Sequence, residues 1–175
     1  MAEIEIHHEH GHTDDPLAKR VGLMVGIIGV ALAVVTIAAH REHTAAVIDR
    51  TAENDAWAYY QAKKIREHMS SVGRELAVAL GSDATRVDAA VKKFEEQSAK
   101  YKKDAEELEK EARGDEAKTE TAEHRALRFD LGEGFIELGL VLSSLYFLGR
   151  QRLFPLIGGV SAVLGLAVAL SALAL

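Results

Sequence analysis

No cysteine occurs in the 175 residues, so disulfides, thiolate nucleophiles and thiolate metal ligands are excluded. Redox usage therefore says nothing about the compartment. Only two prolines are present, which leaves little to stop a helix once it has started. Aromatic residues make up 6% of the chain, and no basic stripe with interleaved aromatics appears, so nucleic-acid binding has little support. The body lacks a Glu-x-x-His pair of the bundle di-iron type, a His-Glu-x-x-His motif and a phosphate-binding glycine loop. No carboxylate–His–nucleophile spacing suggests catalysis, and the chain is read as a non-enzyme.

The most informative absence is local. Val21–Ala39 and Leu153–Leu175 contain no Asp, Glu, Lys or Arg, and Leu131–Gly149 contains only Glu133 and Glu137. A bilayer crossing needs about 20 predominantly apolar residues, so each stretch is long enough to span. A mean hydropathy near zero conceals this, because residues 40–130 hold 17 of the 21 Lys+Arg and 20 of the 27 Asp+Glu. The sequence thus predicts an all-α integral membrane protein with three transmembrane helices. A long antiparallel coiled-coil hairpin is expected between the first and the second. The expected divisions are a disordered acidic, His-rich tail at 1–18, transmembrane helices at 19–39, 131–149 and 153–175, and an extramembrane hairpin at 40–130. The first span is longer than the roughly 7–15 apolar residues of a signal peptide and follows an acidic segment, so it reads as an uncleaved anchor.

Within the hairpin, Gly81–Ser82–Asp83 is the strongest punctuation, with glycine suited to a helix C′ position and Ser82 or Asp83 to the next N-cap. One helix is expected to continue from the first span to about Leu80. Val87, Val91, Phe94, Ser98, Tyr101, Ala105, Leu108 and Ala112 alternate at spacings of four and three, the seam of a coiled coil. The ascending arm offers Ala62, Ile65, Met69, Val72, Leu76 and Leu80 as the answering seam. Gly114 is expected to mark a kink. Gly149–Leu153 is short enough to make the second and third spans antiparallel neighbours, with Pro155 tolerated in the first turn. Three crossings place the N-terminal tail and the Arg150/Arg152 link on one side, the hairpin and C-terminus on the other. Short flanking segments weigh more than long loops in the positive-inside rule, which favours a cytoplasmic tail and an external hairpin.

Glu133 and Glu137 share one helix face with Asp130 just before them, and a central acidic residue costs about 2.5–3.5 kcal/mol to insert. Three readings stand together: a protonated glutamate bonded to a neighbouring helix, an ion or proton site, and snorkelling of the shallower Glu133. No Lys or Arg lies inside another span to pair with them. A second cluster is the polar and aromatic segment of Asn54, Trp57, Tyr59, Tyr60, Gln61, Lys63, Arg66 and His68. Asn54, Gln61 and His68 recur every seven residues along one face, and bulky aromatics of this kind anchor interfaces. Packing inside the hairpin's own core and contact between copies are equally compatible with that pattern.

The run WAYYQAKKIREH after a helix ending in HREHTAAVI, with RFDLGEGFIELGLVLSSLYFL before a basic link, resembles an uncharacterised bacterial membrane family, that of domain of unknown function 4337. The resemblance covers roughly residues 20–175. It implies that Trp57, Tyr60, Gln61, Lys63, Arg66 and Glu133 lie on the family's motif positions, and it implies a bacterial inner membrane. It implies no activity.

His7, His8, His10 and His12 lie among acidic residues and could bind a divalent metal weakly. His40, His43 and His124 with Asp130 form a lesser candidate. Gly22 and Gly26, with Gly29 beyond, give the first span a small-residue face, and Gly158 and Ala162 give the third a similar one. The functional expectation is a non-enzymatic coiled-coil scaffold or accessory subunit, self-associating or bound to other envelope proteins as well as lipid. The alternatives are an oligomeric ion or proton conduit through Glu133/Glu137 and a metal-binding role for the tail.

Overall fold

A computed structural model describes residues 15–175, all helical apart from short connections. α1 runs Pro16–Leu80, α2 Ala84–Ser144, α3 Tyr146–Gly149 and α4 Leu153–Ser171, followed by a 3-10 turn over Ala172–Ala174. Three helices are long and apolar enough to cross a membrane by length and composition. The chain divides into two units: residues up to Thr36 with Asp130–Leu170, and Ile37–Phe129 with Ser171–Leu175.

In the first, apolar unit the chain turns between α3 and α4 at Arg150, a left-handed residue at φ 54° whose N–H bonds the Tyr146 carbonyl. Pro155 sits in the first turn of α4, where its missing N–H costs nothing. α2 and α4 approach through glycines spaced by seven. A Cβ on Gly139 would meet the Gly158 carbonyl at 2.6 Å and Ala162 N at 2.8 Å; one on Gly132 would meet the Gly165 carbonyl at 2.7 Å. Gly158 and Ala162 are thus matched to Gly139 and Ser143 of α2. Of the first span's small face, Gly26 and Gly29 face nothing within 4 Å, whereas a Cβ on Gly22 would lie 3.9 Å from the Phe147 ring.

In the second, polar unit the arms of α1 and α2 lie antiparallel. Arg50 pairs with Glu123 at 2.6 Å, Lys63 with Asp104 at 2.6 Å and Arg74 with Glu95 at 3.7 Å, so the sequence positions converge toward the turn. Asp83 caps α2, its Oδ1 accepting from Thr85 N at 3.0 Å and Arg86 N at 3.3 Å. Gly81 is needed for space rather than for a left-handed backbone: its φ is negative, and a Cβ there would collide with Val87. At the far end Arg128 donates to the Ser171 carbonyl at 3.0 Å, a cation closing a helix C-terminus. α2 runs through Gly114 as one continuous helix.

The inward residues of α2 are the ones its heptads mark, with Ala105 and Ala112 buried at 2% and 0% exposure. The inward residues of α1 are not. Ile65, Met69, Val72, Leu76 and Leu80 stand exposed, and the side facing α2 carries Ala56, Tyr60, Lys63, Ser70, Gly73 and Ala77 instead. The reason lies in α2, whose bulk selects small and polar partners. Phe94 covers Gly73, leaving 2.8 Å to any Cβ there, and Asp104 draws Lys63 inward.

Candidate functional site

The apolar unit brings one of the candidate acids of α2 into a defined contact. Glu133 is half-buried, and the Thr36 hydroxyl donates to its Oε1 at 2.5 Å. Thr36 is the lone hydroxyl residue of Val21–Ala39, and that singularity was the signal available in the sequence. Glu137 lies one turn on and is exposed on the α2 surface, beside exposed Leu138 and Val141. It is therefore not a buried acid of this unit, because four residues advance the helix by 40° beyond a full turn and carry Glu137 off the packed side. Asp130 is likewise exposed.

At the other end of this unit, the Asp15 carboxylate accepts from the Tyr146 hydroxyl at 2.8 Å and the Arg150 guanidinium at 2.7 Å. The start of α1 and the link between α3 and α4 therefore lie together. The Tyr146 hydrogen bond, assisted by the Leu17 and Ala18 amides and Arg150, holds the Asp15 carboxyl below its ordinary value against the opposing effect of desolvation. A groove of about 370 Å³ lined by Ile27, Ile28, Ile136, Val163 and Leu166, with Arg20 among its walls, opens on the surface of this unit.

The aromatic segment of the polar unit separates into two sides. Inward, Trp57 and Tyr60 pack edge to face at 5.5 Å, and the Arg113 guanidinium lies 5.9 Å from the Trp57 ring. Lys63 bonds Asp104 at 2.6 Å and lies 5.7 Å from the Tyr101 ring, with Arg66 at 6.0 Å from the same ring. The Lys63 hydrogen bond keeps the Asp104 carboxyl below its ordinary value. Outward, Asn54, Tyr59, Gln61 and His68 are exposed, Tyr59 by 65%. The polar line at seven-residue spacing is thus a surface feature. Sequence reasoning missed Glu53, buried at 7% exposure beside Arg50, because a glutamate in an alternating charge pattern reads as solvated.

His7, His8, His10 and His12 lie outside the described residues. Among the described residues no group of three or more His, Asp or Glu is placed to hold a metal ion, so His40, His43, His124 and Asp130 do not assemble. His124 instead lies 3.8 Å from Glu120 on its own helix.

No curated protein and no solved structure matches this chain. The family model for the domain of unknown function DUF4337 matches residues 17–175, nearly the whole chain and all of both units' helices beyond the first residue of α1. The chain belongs to the DUF4337 family.

Proposed function

We propose that this chain is a non-enzymatic, membrane-anchored scaffold or accessory subunit of the bacterial inner membrane, which self-associates through its extramembrane coiled-coil hairpin. The observation that carries the reading is the division of labour between the units. One holds the three apolar stretches, two of which, in α2 and α4, cross at glycines, and the other holds two charged arms together by ion pairs and cation–ring contacts. An all-apolar exterior such as α4's, with Leu156, Val160, Val163 and Leu170 all more than half exposed, suits hydrocarbon and not water.

The test is integration and sidedness. Because the chain lacks cysteine, Ser82→Cys and Gln151→Cys report without background. The protein should stay in carbonate-washed membranes, with the two cysteines labelled from opposite faces. Release by carbonate, or labelling of both from one face, refutes the topology.

A second reading, the ion or proton conduit, draws on Glu137. A carboxylate on a lipid-facing helix surface is costly unless a second helix or a cation meets it. Glu133→Gln with Glu137→Gln should abolish flux in liposomes while leaving assembly intact; absence of flux from the unaltered chain rejects this reading.

A further inference from the structure

The groove of the apolar unit follows α1, and its walls hold one charged residue. On α1 its lining falls at Arg20, Leu23, Met24, Ile27, Ile28 and Ala31, the three/four spacing of a single helix face. α4 between Gly159 and Leu166, together with buried Ile136 of α2, completes it. Gly159 keeps the groove open, since even a Cβ there would already lie 3.5 Å from the Met24 sulfur. No polar side chain besides Arg20 lines the space. Apolar cavities stay dry, so water is not the natural occupant.

Length, volume and charge each narrow what can fill it. From Arg20 to Ala31 the groove runs about 16 Å at 1.5 Å per residue, close to half of the roughly 30 Å hydrocarbon core and so the depth of one leaflet. Its volume of about 370 Å³ lies in the range of small ligands. A helix is 10–12 Å across and would need about 1,300 Å³ over the same length, so a packed helix does not fit inside. Arg20 stands exposed at the end where α1 begins, with Lys19 beside it and Arg152 just before α4, both exposed as well. The Asp15 carboxylate joins these two segments, but Arg150 already answers its charge at 2.7 Å. Among the described residues this end is therefore net positive.

We infer that the groove holds one acyl chain of an anionic phospholipid whose phosphate pairs with Arg20. The inference rests on the membrane anchoring in the proposed function and goes beyond it by naming a lipid site. The rim is made of exposed Leu23, Ile27 and Val163, so the groove opens sideways onto an apolar surface and is entered from hydrocarbon. A guanidinium at its end matches a phosphate, to which it can donate two parallel hydrogen bonds. A free phosphate would leave the apolar length empty, and a neutral hydrocarbon would leave Arg20 without an anion. Only a molecule with both parts satisfies both ends. The neighbouring Lys19 and Arg152 favour a headgroup of net negative charge over a zwitterionic one, because each basic residue near an anionic lipid surface adds attraction.

The experiment uses the full chain in mild detergent, with retained lipid counted by native mass spectrometry. The probes are dioleoyl phosphatidylglycerol and dioleoyl phosphatidylcholine, which share their acyl chains and differ in headgroup charge. The unaltered chain should retain one phosphatidylglycerol and bind it about fivefold or more tightly than phosphatidylcholine. Arg20→Gln should erase that preference, since one cation near an anionic headgroup is worth about a fivefold change in affinity. Ala31→Trp, which fills the deep end, should abolish retention of both lipids. Val160→Trp, on the exposed surface of α4 outside the groove, should leave both unchanged. Unaltered far-UV circular dichroism shows that Ala31→Trp folds, and exposed Arg20 provides a second test that does not depend on it. Equal binding of the two lipids, a preference that survives Arg20→Gln, or retention that survives Ala31→Trp overturns the inference. A chain that resists carbonate washing yet retains no phosphatidylglycerol overturns it while leaving membrane anchoring intact. A chain that carbonate releases overturns both.

Discussion

Thr36 and Glu133, 97 residues apart in sequence, are joined by a 2.5 Å hydrogen bond from hydroxyl to carboxyl. Both belong to the apolar unit, where water is a poor competitor for either group. Side-chain hydrogen bonds between spanning helices are nevertheless worth only about 0.6 kcal/mol on average, with a maximum near 1.7. Thr36→Val and Glu133→Gln should therefore each lower stability modestly, and the double variant should lose less than the two together. A double-mutant cycle measured by denaturant unfolding in detergent should return a coupling of about 0.5–1.7 kcal/mol. A coupling indistinguishable from zero would mean that the bond contributes nothing.

The glycines of this unit separate into two groups with opposite expectations. Gly139 faces the Gly158 carbonyl and Ala162 N, both backbone atoms that cannot step aside. Gly139→Ala should force α2 and α4 apart and cost about 1–3 kcal/mol, the usual range for overpacking. Gly26 has nothing within 4 Å of where a Cβ would go. Gly26→Ala should be neutral or stabilise by up to about 1 kcal/mol, because alanine is the better helix former. Thermal unfolding of the two variants side by side in one detergent decides this. Equal effects would show that the crossing is looser than its distances indicate.

How much of this was legible in the sequence depends on which residues are asked about. Helix runs and the turn at Gly81–Asp83 follow from uncharged stretches and local punctuation, and such signals do not depend on tertiary contacts. The descending seam was legible because one face of α2 holds its large apolar residues and charge fills the rest. The ascending arm carries two stripes that both satisfy four/three spacing, one apolar and one small and polar. Periodicity cannot choose between them. Phe94 over Gly73 and Asp104 on Lys63 make the choice, and they are facts about the other arm. The acids show the same limit. Spacing placed Glu133 and Glu137 on one face, but only the position of Thr36 distinguishes the bonded residue from the exposed one.

Asp15 makes the apolar unit's stability depend on pH in a definite direction. Its carboxyl is held below its ordinary value, chiefly by the Tyr146 hydroxyl, with the Leu17 and Ala18 amides and Arg150 assisting. A depressed carboxyl stabilises the fold above its unfolded value, and that contribution is lost as pH falls through the folded value. Asp15→Asn should therefore be less stable than the unaltered chain at pH 7, and the gap should close as the solution is acidified below about pH 4. Unfolding midpoints at intervals between pH 7 and pH 3 provide the check. A gap that stays constant across that range would show that Asp15 acts through its shape alone.

The hairpin's ion pairs should not contribute equally, although Lys63–Asp104 and Arg50–Glu123 are both 2.6 Å long. Side chains in the Arg50–Glu123 pair are 50% and 51% exposed, those in the Lys63–Asp104 pair 29% each. Water and salt screen the first pair well, and exposed pairs of that kind frequently contribute nothing measurable. Lys63 also lies near the Tyr101 ring, so its removal costs a cation–ring contact and leaves Asp104 partly enclosed without a partner. Lys63→Met should accordingly lower the unfolding midpoint clearly more than Glu123→Gln, which removes the exposed partner while Arg50 stays beside buried Glu53. Raising salt from 0.05 M to 1 M should shrink the Glu123→Gln effect toward zero while leaving most of the Lys63→Met effect, since screening acts on the exposed charges first. If both substitutions lose the same fraction of their effect in salt, the Tyr101 contact and the partial burial are not what distinguishes them.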